Sequence, residues 1–164
     1  MNTFLKRFIL AVAMIAIVAV PASASKGDTF ENDWLKLIFN ATAIGNLADN
    51  TATSPATTIT VALHTADPGE AGTQATSETA YTGYARLTVA RTTGGWTVTT
   101  NSVSPVANID FGECTASCAV TLTHFSVGTG VTNKLLYKGT LTPNIAMAVG
   151  VIPRIKTTST ITED

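Results

Sequence analysis

The chain predicts an all-β fold: an antiparallel β-sandwich, or sandwich-like barrel, with one N-terminal amphipathic helix. Three observations carry that expectation. Thr alone makes up roughly a fifth of the chain, well above average usage, and with Val and Ile it supplies branched Cβ atoms that suit a pleated surface. Apolar and polar residues alternate with period two over several short stretches. Gly and Pro turn signals separate these stretches at close spacing, as in sandwiches and barrels.

Residues 1–24 stand apart from the rest. Lys6 and Arg7 precede an apolar run, Phe8 to Val20, followed by Pro21-Ala22-Ser23-Ala24. A basic start, a short apolar stretch and small residues at the end are the order of a secretory signal peptide, cleaved at about Ala24 to leave Ser25 first. The apolar run is too short to span a bilayer, which needs about 20 residues. The other expectation is a retained hydrophobic helix, buried in an assembly or lying in a membrane. Residues 25–164 then make one domain, long enough to bury one core. Charged residues are 13% of the 164-residue chain and the formal net charge is −1. Such a balance gives no steering towards nucleic acid or an anionic membrane, so any membrane contact falls to the leader. No internal repeat or long linker is present.

The elements follow in order. Asp28 to about Ala41 predicts the one helix, with Asp28 and Glu31 at capping-box spacing. Phe30, Trp34, Leu37, Ile38 and Ala41 form one apolar stripe. Asn46 to Ala56 is a polar loop. Thr58 to His64 alternates: Ile59, Val61 and Leu63 point one way, Thr60, Ala62 and His64 the other. Ala66-Asp67-Pro68-Gly69 ends it with a turn, because Asp bonds its own backbone, Pro fixes φ and Gly permits φ > 0. Strands are expected at Tyr84 to Arg91 and Trp96 to Thr100, joined through Gly94-Gly95 as a hairpin. Others are expected at Val106 to Phe111, with Ile109 and Phe111 inward, at Ala119 to Val127, and at Leu135 to Leu141. Pro153 marks a strand edge or a bulge, and Lys156 to Thr162 closes the chain as a Thr-rich strand.

The residues that could carry chemistry are few. Cys114 and Cys118 have three residues between them and lie between two predicted strands, where a disulfide closing a small loop is expected; free thiols or a metal or redox site are the alternatives. A redox motif would want Cys-x-x-Cys beside a βαβ unit, and neither is present. A zinc site would have only His64 and His124 to add. His64 reads as a partly exposed strand histidine, and His124, on a face with Val120 and Leu122, as a hydrogen-bonded core histidine. Asp67 and Glu70 could hold Ca²⁺ with backbone carbonyls, though turn chemistry explains Asp67 without a metal. Trp34, Trp96, Tyr81 and Tyr84 could form a sugar-stacking platform, with core and hairpin packing as the alternative. No nucleophile elbow, phosphate-binding Gly loop or set of acid, base and nucleophile occurs. The expectation is therefore no catalytic, cofactor or metal residue, and no cofactor.

The ordered set of strand motifs resembles a family of small bacteriophage virion proteins, tail-fibre-like or head or tail decoration proteins. The matching pieces run from Asp33-Trp34-Leu35-Lys36-Leu37-Ile38-Phe39 through Val61 to Gly69 and Gly83-Tyr84-Ala85-Arg86. They continue with Val120 to Gly128 and Leu135 to Leu141. The resemblance implies a β-sandwich subunit of the virion that acts by assembly, with itself and other virion proteins as partners, and without enzymatic activity. A host surface glycan is a further partner it would allow. One feature departs from the pattern: virions assemble in the cytoplasm, where a signal peptide has no use. The alternative is thus an exported bacterial β-sandwich, secreted, periplasmic or at the cell surface, such as an adhesin, fibre subunit or carbohydrate-binding module.

Overall fold

A computed structural model describes residues 25–40, 42–45, 47–48, 56–99, 102–129 and 133–162. The leader, most of the expected 46–56 loop, and the side chains of Leu37, Ile38 and Ala41 lie outside it. The described chain is mostly β, in antiparallel sheets, with one short helix. Its strands are β1 (Ser25–Lys26), β2 (Thr58–His64), β3 (Leu87–Ala90), β4 (Trp96–Thr99) and β5 (Ser102–Pro105). They continue with β6 (Ile109–Asp110), β7 (Thr121–Gly128), β8 (Leu135–Ala146), β9 (Arg154–Ile155) and β10 (Ile161–Thr162). Helix α1 spans Asp28–Asn40.

The largest sheet has five strands in the order β1-β8-β7-β2-β3, and β2 is held between β7 and β3. Strand β2 alternates as expected, but both of its faces are covered. Val61 and Leu63 sit in the apolar core, while Thr60, Ala62 and His64 are buried on the other side. Their cover is the segment from Thr65 to Thr79. Its backbone clamps the end of β2 through Thr65 N to Ser77 O and Thr79 N to Leu63 O. The turn that starts this segment has the expected chemistry. Gly69 N donates to Asp67 Oδ1 at 2.8 Å, and Gly69 takes φ 74°, a conformation that costs a residue with a Cβ.

The core gathers Val61 and Leu63 from β2, Leu122 from β7, and Ile109, Phe111 and Ile155 from β6, β9 and their flanks. It therefore lies between the five-stranded sheet and the smaller β6-β9 pair. The third sheet, β10-β5-β4, adds Trp96 to its margin. Because the five-stranded sheet ends at β1 and β3, it is open and no barrel closes.

Three local expectations are corrected. The hairpin across Gly94-Gly95 does not form: β3 pairs with β2, whereas β4 pairs with β5 in another sheet. The turn there, with Gly95 N and Trp96 N both donating to Thr92 O, carries the chain from one sheet to the next. Next, β8 continues past Leu141 to Ala146. Its pairing with β7 steps from His124–Thr140 to Leu122–Ile145, so residues 141–144 bulge opposite Thr123. Pro143 sits in that bulge, where a missing N–H costs no ladder bond. Finally, β3 covers only Leu87–Ala90 of the expected Tyr84 to Arg91, and the C-terminal strand only Ile161–Thr162.

The helix begins where Gly27 O accepts the N–H groups of Phe30 and Glu31, so Gly27 occupies the capping position. Phe30 packs edge-on against Tyr137 of β8, with ring centroids 5.8 Å apart, and Asp33 pairs with Lys134. Trp34, expected under the apolar stripe, is 48% exposed.

Candidate functional site

The densest polar constellation lies beneath the Thr65–Thr79 segment. Strand β2 brings His64 opposite His124 of β7, and Ala62 opposite Ser126. Opposite residues share a face, so Ser126 reaches the His64 ring: Nε2 lies 2.7 Å from Ser126 Oγ. The other ring nitrogen, Nδ1, lies 2.9 Å from the Thr76 carbonyl. A carbonyl only accepts, so Nδ1 carries the proton, and the neutral ring accepts the Ser126 hydroxyl at Nε2. Burial pushes the His64 pKa below its ordinary 6.5, which favours that neutral form. Gln74, fully buried, donates to the Thr60 carbonyl at 3.0 Å and to Ser126 Oγ at 3.4 Å.

A charged cluster closes the rim. Arg86 makes a two-pronged contact with the Glu78 carboxylate, at 2.7 and 2.6 Å, and the Tyr84 hydroxyl donates to Glu78 at 2.8 Å. Burial alone would raise the Glu78 pKa; the Arg86 and Tyr84 hydrogen bonds outweigh it and hold the carboxyl below its ordinary value. Burial also pushes the Tyr84 phenol well above its ordinary range, so it stays a donor. The same hydroxyl accepts from Leu63 N at 3.1 Å, tying the rim back to β2.

Serine beside histidine is the start of a nucleophile and base. Here both side chains are completely buried and spend their hydrogen bonds on the covering segment. The pair holds a loop to a sheet. The two histidines thus exchange their expected places. His64 is sealed because the covering segment lies over a face of small polar residues that reads as solvent-facing. His124 is only half-buried, bonded to Thr123 Oγ1 at 2.8 Å, because the β7–β8 irregularity places Leu122 in the core without it.

The remaining sequence candidates scatter. Cys114 and Cys118 form a disulfide, Cα atoms 5.9 Å apart, buried in the core. Asp67 accepts from Gly69 N, which lowers its pKa, and pairs with Lys138 at 3.2 Å. Its carboxylate is thereby occupied, and Glu70 contributes its backbone carbonyl to Asp28 N. Among the described residues no three His, Cys, Asp or Glu side chains gather where they would hold a metal ion. The four aromatics do not share a surface: Tyr81 and Tyr84 pack edge-on in the core, Tyr84 stacks on Phe111, and Trp34 stands on the helix beside Phe30. Ser126, Gln74 and Arg86 escaped the sequence because their partners are many residues away; the small polar face of β2 was the one local signal.

What the surface does offer is contact area. Val98, Val149 and Ile152 are 73%, 73% and 52% exposed, and among the described residues β4 and β3 are the end strands of their sheets. A family model described as Podophage GP4 fiber I protein gp80 matches residues 25–162. The chain belongs to this family. The match runs from the first residue of β1 to the last of β10, so this phage fibre family coincides with the described β-domain and leaves residues 1–24 outside. No curated protein matches the chain. Membership gives the chain a structural role in a phage virion, as a tail-fibre-like protein.

Proposed function

We propose that residues 25–164 form one β-sandwich subunit of a homo-oligomeric phage tail fibre, which works by assembly and not by catalysis. The family match across the whole β-domain carries this reading, and it favours a fibre over a capsid decoration. Two features of the molecule support it. The polar groups that could do chemistry are buried and committed to holding a loop. The strand edges of β3 and β4 are long enough to be extended by a neighbouring strand. Virion proteins at the tail are the further partners.

Antibody labelling of particles in electron micrographs, combined with native mass spectrometry of the purified chain, tests this. The expected result is label on the tail and a defined oligomer. Label on the capsid faces, or a strict monomer absent from particles, would overturn it. The leader supports the other reading, export to a cell surface, which requires native protein starting at Ser25 and found outside particles.

A further inference from the structure

Between the five-stranded sheet and the β10-β5-β4 sheet lies a cleft of about 510 Å³, within the size range of small-molecule sites. Its lining is divided. Val61, Val127 and Ile155 are buried at its base, with half-buried Phe125, Ile145 and Trp96 beside them. Thr140, Thr142, Arg154, Lys156 and residues 158–160 also line it. All of these are exposed, so they stand at its opening.

The charges at the opening are of one sign, because no Asp or Glu lines the cleft. Arg154 is committed to Asp110, through Nε to Oδ1 and Nη2 to Oδ2. Lys156 makes no ion pair among the described residues. A turn in which Ser159 N donates to Lys156 O keeps this ammonium beside the hydroxyls. The opening therefore favours a negative group. Trp96 adds an independent observation. Its Nε1–H is buried with no partner among the described residues. An indole N–H only donates, and such a buried donor normally has an acceptor.

We propose that the cleft is a binding site for one molecule of an anionic amphiphile, an acyl chain joined through its carbonyl to a negatively charged head. The chain lies on Phe125, Ile145 and Ile155, the carbonyl accepts the Trp96 N–H, and the head faces Lys156 and the hydroxyls of the opening. A sugar fits less well, because its hydroxyls would be stranded against the apolar base. The site does not depend on how copies of the chain assemble.

Titration calorimetry of the full chain with N-decanoylglycine and with decanoylcholine, both below micelle formation, tests this. The two probes share a tail and a carbonyl and carry opposite charges. N-decanoylglycine should bind one-to-one, and decanoylcholine at least about threefold more weakly, as a charge in an exposed position dictates. Lys156 is exposed, so Lys156→Glu spares the core, and it should reverse the order of the two probes. Trp96→Phe keeps an aromatic wall without the donor and should weaken both probes about two- to tenfold. Absence of binding, equal affinity for the two probes, or an order that Lys156→Glu leaves unchanged would overturn the proposal. So would unchanged affinities in Trp96→Phe, or binding to vesicles of anionic phospholipid without binding of the free probe.

Discussion

His64 links burial to acidity. Its neutral ring bridges Thr76 of the covering segment and Ser126 of β7, and burial holds its pKa below 6.5. The unfolded chain therefore takes up a proton at this position before the folded chain does. The stabilisation is complete above about pH 6.5 and is lost as pH falls through the folded pKa. Glu78 and Asp67 also have lowered pKa values, but as carboxylates they lose their contribution below their ordinary values of 4.5 and 3.8. The interval between pH 7 and pH 5 therefore reports mainly on histidine. Urea unfolding across that interval should show falling stability in the native sequence. His64→Gln should start lower, by about 1–3 kcal/mol, because its partners lose their bonds. It should then vary less with pH, and an equally steep pH dependence in this variant would rule out His64 as the source. At this scale the sequence was only partly informative. The Asp67–Gly69 turn is legible because all its partners lie within three residues. The His64–Ser126 bond spans 62 positions and depends on which strand β2 lies beside, which no local pattern encodes.

Among the elements, the loop from Phe111 to Val120 joins β6 to β7 and is braced at several points. Cys114 N donates to Val151 O, Gly150 N to Cys114 O, Thr82 N to Ala116 O and Thr115 N to Thr82 O. The Cys114–Cys118 disulfide closes it across a separation of 4 residues. So small a loop restricts the unfolded chain little, which puts the stabilisation at about 2 kcal/mol. Replacing both cysteines with Ala should lower the unfolding free energy by roughly that amount, and reducing agent should bring the native sequence to the same value. A loss under about 0.5 kcal/mol, the range of an inert surface change, would mean that the backbone bonds alone hold the loop. The strands themselves were legible wherever period-two alternation ran for six or more residues, as in β2 and β7. The β8 bulge and the sheet change after β3 were not, because both are decided by pairing between distant segments. The two Gly residues after Arg91 carry an equally good signal for a hairpin and for a crossing between sheets.

At the scale of the whole molecule, β3 and β4 stand at the ends of their sheets with no further strand beside them among the described residues. Solitary proteins blunt such edges with charge, Pro or bulges, because an open edge recruits another chain. The stretch from Thr92 to Ile109, which contains both strands of the β4–β5 hairpin, holds no charged residue. Within it, β4 lies at the end of its sheet and Val98 is 73% exposed. Pro105 interrupts the hairpin only on the β5 side, so it does not protect β4. An edge left this way in a fibre protein fits a contact between copies: a second β4 would extend the sheet and cover Val98. Val98→Lys puts a charge at that junction while leaving the core unchanged. Its stability should stay within about 0.5 kcal/mol of the native value, as for other exposed substitutions. Its self-association, followed by sedimentation velocity over a concentration series, should weaken by at least about tenfold, since each desolvated apolar side chain is worth about 1.5 kcal/mol or more. The conservative Val98→Thr variant keeps the edge uncharged and should associate almost as the native chain does. If the lysine variant assembles as well as the native protein, β4 is not the contact, and the β3 edge becomes the next to charge, at Thr88.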